Sequence, residues 1–572
     1  MYDKKKWPGM CQATKMGCLR GPKTSQNIVF SGFVGESIPP NCSLEETIVA
    51  AALADDGKRG WCWDVGADDQ LMPFVAEGLR KRALWGASGS SQNAPDQLML
   101  HSGGPVTDVA SSTLLAGPPM LRFLAKQPQV GRTVPARNSP LQGQLPLLRS
   151  EETVPLNWQP QQWRFGRWQA LSELPPQRRL GPALRQVAAC ARQTSSDALW
   201  LSEAAKDGAL PVRGSALAGL LAYDLVQWTQ PLALEHPPEP SECLGSKLIG
   251  KAFAKLYLGC WQLFTVWTDG LCTRGEADMG GAVVQSLTNE SSMLALRPQL
   301  LVHRDLEPLD MDDFCSRFCG ADAIRDGQFY QLNFGRSWQG EMRESPWQLM
   351  QKLFKHNAAP YSGFLQLQVD GLSSALCSCS PELLLSVQHG SLSTCPIKGT
   401  CARSKDARED LQLRQEMVAS QKEVAEHMML VDLQRHDLGV ASCPSSVAWD
   451  RWRVEAFPNI QHMVSKVTGR LCPSSDVWAA LEAVFPGGSI TGCPKTATIA
   501  AIDALEKEPR RCWTGSLGFA DLFTGDGQWN ILIRTLEAEA QDSSWRAVVK
   551  AGGGLTIGSD PSAEVQEAKL KV

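Results

Sequence analysis

Glu382 and Lys398 stand sixteen positions apart and are of types that suit one another chemically. Glu382 follows Ser380-Pro381, and Lys398 stands in Pro396-Ile397-Lys398-Gly399-Thr400. Between them, LLLSVQHGSLSTCPI reads as two strands around a His-Gly turn. A hairpin of that length can bring the two side chains near one another. An amine and a carboxyl group in one pocket make a nucleophile and a proton donor once burial moves their pKa values towards neutrality. Taken alone, Lys398 reads better as a solvated lysine beside a turn, as most lysines are.

Two helical stretches add a second kind of chemistry. Glu409 to Leu438 reads as one long helix, in which Glu423 and Glu426 sit three apart and project from one face. Ser559-Asp560-Pro561 reads as a helix start, and Glu564 and Glu567 repeat the spacing, with Lys571 four residues on. The two pairs could converge on a hard divalent cation, and oxygen ligands without His or Cys favour Mg2+ over zinc. Either pair alone also looks like a solvated helix face. Phe485-Pro486-Gly487-Gly488-Ser489-Ile490-Thr491-Gly492 precedes a helix from about Pro494, and Ala551-Gly552-Gly553-Gly554 follows a strand, WRAVVKA. Both are expected to be loops that bring backbone N–H groups to an anion. Arg534 reads as part of an apolar strand, WNILIRTLEA, where a guanidinium asks for a carboxylate partner. Such a pocket suits a small polyanion such as a dicarboxylate.

The elements that must position these groups occupy a long chain. Its 572 residues are 43% hydrophobic and 20% charged, enough for a sizeable core and more than one domain of ordinary size. A net charge of −4 gives no electrostatic case for nucleic acid as a ligand. No uninterrupted apolar run of about 18 residues occurs, so no membrane span is expected. The eighteen cysteines are scattered without a CxxC pair; Cys315 and Cys319, on an expected helix, read as free thiols. That usage suits a reducing cytosol, so a cytoplasmic location is expected. MYDKKKWPGMCQATK is basic without an apolar core and does not read as a secretory signal.

Residues 1–150 read as an unassigned N-terminal extension, linker-like where Gly, Pro, Ser and Gln are dense from Gly86 to Pro155, with a helix suggested by PFVAEGLRKRALW. Residues 151–310 read as an atypical N-terminal subdomain and 311–572 as a catalytic domain. Strands mixed with several long helices indicate an α+β or layered α/β architecture.

PIKGT, the KEVAEH helix, FPGGSITGCPK, IRT, AGGG and SDPSAEVQE occur in this order in the chorismate-utilising enzymes, which the chain resembles from about residue 200 to 572. Gly214–Leu225 (GSALAGLLAYDL), Asp326–Asn333 (DGQFYQLN) and Asn357–Tyr361 (NAAPY) resemble further segments of that family. It includes anthranilate synthase component I, aminodeoxychorismate synthase component I, isochorismate synthase and salicylate synthase. The resemblance implies an α+β fold like that of anthranilate synthase component I: a large chorismate-binding domain of layered antiparallel sheets and packed helices. The residue before Gly399 separates the members: alanine in anthranilate synthases, typically lysine in aminodeoxychorismate synthases. The chain therefore looks most like aminodeoxychorismate synthase component I, which serves 4-aminobenzoate and folate biosynthesis. Anthranilate synthase component I and a non-catalytic relative are the alternatives. His436 and Cys493 stand where the family usually has Asn and Ala.

The resemblance also implies roles. Glu423, Glu426, Glu564 and Glu567 would hold Mg2+ on the ring carboxylate of chorismate. Arg534 and Gly552, Gly553 and Gly554 would bind the enolpyruvyl side, with Lys571 nearby; His462 and Thr491 would line the ring. Lys398 would attack C2 while Glu382 protonates the departing 4-hydroxyl, and ammonia would then add at C4 and expel the lysine from C2. No Gly-x-Cys-x-Gly elbow with a downstream His-x-Glu occurs, so ammonia is expected from a glutamine amidotransferase subunit.

Overall fold

The computed structural model of the chain describes residues 29–30, 61–64, 96–101, 114–116, 121–126, 154–164, 167–194, 215–238, 243–257, 260–265, 324–357, 359–369, 372–450, 452–456, 460–522, 524–541 and 544–571. Its core is two antiparallel sheets laid face to face. One runs through β5 (Gln331–Met342), β15 (Ser544–Leu555), β14 (Thr535–Gln541), β7 (Leu372–Ser380), β6 (Tyr361–Val369) and β1 (Gln97–His101). The other runs through β2 (Leu121–Lys126), β4 (Cys243–Tyr257), β3 (Ser215–Leu221), β12 (Ser516–Asp521), β13 (Gly527–Asn530), β8 (Leu383–Gln388) and β9 (Ser391–Cys395).

Period-two alternation decides which core each residue enters. Along β3, Ala216, Ala218 and Leu220 meet Leu98, Leu365, Leu376 and Phe519 between the sheets. Leu217 and Leu221 point the other way, into a core that α1 (Leu180–Thr194) and α4 (Val477–Val484) cover with Leu184, Val187, Trp478 and Leu481. Each fully buried aliphatic of this size contributes about 1.5–3 kcal/mol of transfer free energy. The layered α+β architecture is the one expected.

Several local expectations are corrected. Residues 97–101 and 121–126 fall in the stretch read as extension and linker, yet they pair with β6 and β4 as integral strands. Their partners in β6 and β4 lie far along the chain, so the local pattern does not name them. The single helix expected over Glu409–Leu438 is two: α2 (Ala407–Ala419) and α3 (Gln421–Gly439). Ser420 breaks them with extended backbone and caps α3 by accepting from the Glu423 N–H at 3.3 Å. Arg534 lies not within a strand but at the bend between β13 and β14, with φ 51°. Gly552–Gly554 form no loop; they lie inside β15, in register with Gly335, Phe334 and Asn333 of β5. The helix suggested by PFVAEGLRKRALW and the pair Cys315 and Cys319 lie outside the described residues. No helix among the described residues is long and apolar enough to cross a membrane.

Candidate active site

The hairpin β8–β9 turns at His389 and Gly390, both at positive φ (52° and 76°), as a two-residue turn matching strand twist requires. The chain then enters β10 (Ile397–Ala402), which pairs with β11 (Ile460–Val464). The pairing slips between Ile397 and Thr400, and Gly399 takes φ 84°. This bulge aims Lys398. A Cβ at position 399 would stand 3.2 Å from the Met463 methyl and 3.4 Å from Glu423 Oε2, so glycine is needed for space as well as for conformation.

Lys398 Nζ forms an ion pair with Glu426 Oε2 at 2.8 Å, with the two side chains 23% and 9% exposed. On its other side the amine lies 3.4 Å from where a Cβ on Gly554 would stand, beside the Gln331 amide. Glu382 sits at the corner between β7 and β8, where Pro381 interrupts the ladder. Its carboxyl is buried, and Oε1 has no hydrogen-bond partner among the described residues. Burial pushes its pKa up to about 7; the Ser489 hydroxyl beside it and the Ile397 N–H pull the other way. Glu382 therefore reaches the backbone next to Lys398, but the ion-pair partner of Lys398 is Glu426.

His462 pairs across from Thr400 and is buried. Its pKa is pushed down to about 4, first by burial and then by the charges of Arg534 and Lys571, while a hydrogen bond with the Gly399 backbone opposes the shift. It is a neutral imidazole facing two cations. Burial also lowers the Arg534 guanidinium, and no carboxylate pairs with it among the described residues. A charged group desolvated in this way is matched by an anionic ligand. Thr491 is fully buried, its hydroxyl donating to the Gly487 carbonyl at 2.9 Å.

Helix α6 (Pro561–Leu570) packs on β15 and forms the opposite wall. Ser559 Oγ donates to Glu564 Oε1 at 2.7 Å, and Glu564 Oε2 lies 3.0 Å from a Cβ position on Gly553. Lys571 Nζ bonds the Gly552 carbonyl at 3.0 Å and pairs with Glu567 Oε1 at 2.6 Å. The glycines thus clear space for side chains on β15. They lie in a strand and not in a loop, and only β5 is paired beside them, since the pairing of β15 with β14 ends at Val549.

The four carboxylates expected on one cation are not gathered. Among the described residues no group of three or more His, Cys, Asp or Glu side chains is placed to hold a metal ion. Glu426 is held by Lys398, and Glu567 by Lys571. The donors are all oxygen and suit a hard cation, but at Glu426 and Glu567 a cation would have to displace an ammonium group.

Three contributors escaped the sequence reading: Gln331, Asn333 and Ser489. Asn333 receives its order from the Gly488–Ile490 turn, donating from its N–H to the Thr491 carbonyl at 2.8 Å and from Nδ2 to the Ser489 carbonyl at 3.2 Å. All three lie inside DGQFYQLN and FPGGSITG, and no spacing within those segments marks them out.

The family model for chorismate binding enzymes matches residues 171–572. The chain is 39% identical over 250 residues to an aminodeoxychorismate synthase component 1 of Salmonella typhimurium, covering 44% of this chain and 53% of that protein. It is 32% identical over 376 residues to an anthranilate synthase component 1 of Halobacterium salinarum, covering 62% and 68%. The chain spans about half the length of the aminodeoxychorismate synthases it matches. Among solved structures, anthranilate synthase component I of Streptococcus pneumoniae superposes with a TM-score of 0.55 at 22% identity, over 82% of this chain and 92% of that one.

Proposed function

The chain belongs to the chorismate binding enzyme family, and we propose that it converts chorismate and ammonia to 4-amino-4-deoxychorismate. The observation that carries this reading is the Lys398 amine, 2.8 Å from Glu426 and close against Gly554. An amine there supplies a nucleophile that an alanine would not.

The surrounding groups support the same reading. Arg534 and Lys571 present positive charge to a dicarboxylate, and neutral His462 adds none. Lys398 attacks ring C2 only as a free amine, and Glu426 Oε2 is the base in reach of its proton. The 4-hydroxyl leaves as water, taking its proton from Glu382, whose pKa, raised to about 7 by burial, leaves a substantial protonated fraction at neutral pH. Ammonia then adds at C4, and the bond to Lys398 breaks. Mg2+ is part of the proposal: Glu423, Glu426, Glu564 and Glu567 would hold it once Lys398 and Lys571 gave up their ion pairs with Glu426 and Glu567. When bound, it would supply charge neutralisation to a substrate carboxylate.

The name component 1 borne by the relatives implies a second subunit in those proteins. For this chain we propose a glutamine amidotransferase as the source of ammonia. The longer match to an anthranilate synthase component 1 favours a second reading, in which pyruvate is eliminated to give an aromatic product. Incubation of the purified protein with chorismate, Mg2+ and ammonium separates the two by product mass. The aminodeoxy product is expected; anthranilate would replace the first reading with the second. Ammonium alone should suffice and glutamine should not, and robust glutamine use by this chain alone would remove the proposed partner.

A further inference from the structure

Arg510 lies away from the pocket, on the turn after α5 (Lys495–Glu506), and is 1% exposed. Its planar guanidinium engages all five N–H donors. Nε and Nη2 donate to Glu506 at 2.8 and 2.6 Å. Nη1 donates to the Ile490 carbonyl at 2.8 Å and the Thr514 hydroxyl at 3.3 Å, and Nη2 donates to the Asn333 carbonyl at 2.9 Å. Tyr223 and Trp513 lie 4.8 and 4.7 Å from the guanidinium carbon by ring centroid. Glu506 Oε1 also accepts from the Gly335 N–H at 2.9 Å.

Two segments of the site meet at this one group. Ile490 belongs to the Gly488–Ile490 turn, whose Ser489 hydroxyl lies beside Glu382. Asn333 and Gly335 belong to β5, opposite Gly554 and Gly552 of β15, and Gly554 faces Lys398. We propose that Arg510 is a positioning residue: by holding the Ile490 and Asn333 carbonyls together it fixes the Ser489 turn against β5 and keeps the Glu382 cavity closed. This rests on the reading of Glu382 as the acid. Lysine carries three donors on one nitrogen and cannot span Glu506 and both carbonyls, so Arg510→Lys keeps the charge and loses the span. A loosened turn admits water to Glu382, and hydration stabilises its ionised form.

The test compares the full-length wild type, Arg510→Lys and the milder Glu506→Gln. Difference infrared spectroscopy of the protonated carboxyl stretch, with Glu382→Gln as reference, follows the titration of Glu382 without substrate. In Arg510→Lys the midpoint should move to lower pH by about one unit or more, with a smaller shift of the same sign in Glu506→Gln. The alkaline limb of chorismate consumption should move with it, and kcat should fall by about tenfold or more with KM little changed. An unmoved midpoint in both variants overturns the proposal, whatever happens to activity. If Arg510→Lys does not fold, Glu506→Gln decides. A wild type that makes another product, or none, defeats the proposed reaction instead, and the infrared midpoint still decides the role of Arg510.

Discussion

The two walls of the pocket carry the same chemical pair in different surroundings. On the α3 wall, Lys398 meets Glu426 with side chains 23% and 9% exposed. On the α6 wall, Lys571 meets Glu567 with side chains 37% and 56% exposed. Distances differ little, at 2.8 and 2.6 Å, so length alone does not rank them. Burial does. An exposed pair is screened and contributes about 0–1 kcal/mol, whereas partners withdrawn from water depend strongly on one another. Lys398 and Glu426 are therefore the more strongly coupled pair, and Lys571 and Glu567 the more weakly coupled one.

The comparison is tested most severely at Lys398. Lys398→Ala should lower ammonia-dependent turnover by about a thousandfold or more while the protein still folds. Product analysis by mass, together with a search for a chorismate adduct on Lys398, checks it; full activity of the alanine variant would end the nucleophile role.

Glu382→Gln should cost about a hundredfold, and it should also change the shape of the pH profile. Glu382 acts while protonated, and its pKa is about 7, so wild-type turnover should fall as pH rises through about 7. Glutamine cannot titrate, so that limb should vanish from the residual activity. A limb that persists unchanged belongs to another group.

Glu426→Gln and Glu567→Gln set one wall directly against the other. Both should weaken the Mg2+ dependence, partly recoverable at high Mg2+, but only Glu426→Gln should also depress turnover at saturating metal. Equal effects would erase the distinction drawn from burial. Wild-type activity insensitive to EDTA would remove the metal from the proposal.

The smallest change is expected at Lys571. Lys571→Ala should act mainly on KM, by less than about tenfold, and the difference from wild type should shrink as salt rises. A loss in kcat comparable to that of Lys398→Ala would show that the exposed wall takes part in the chemistry.

The residues themselves announced much of this. A lysine before a glycine, carboxylates three apart on helices and a Ser-Asp-Pro helix start are local patterns; Glu423 and Glu426 do lie on a helix, and α6 starts at Pro561 where its pattern put it. The residues alone left the fold open between α+β and layered α/β, and the layered antiparallel α+β fold came from the resemblance to the chorismate-utilising enzymes. Pairing was not legible. Nothing near Gln97 or Leu121 points to β6 or β4, and nothing near Gly552 says that its backbone faces Gly335. Nor could spacing reveal that Glu426, rather than Glu382, is the carboxylate paired with Lys398. Sequence determines which groups are available and how each short segment bends, because those depend on neighbours along the chain. Only the tertiary structure decides which of them are dried, charged and brought together, because burial and Coulomb interaction depend on neighbours in space.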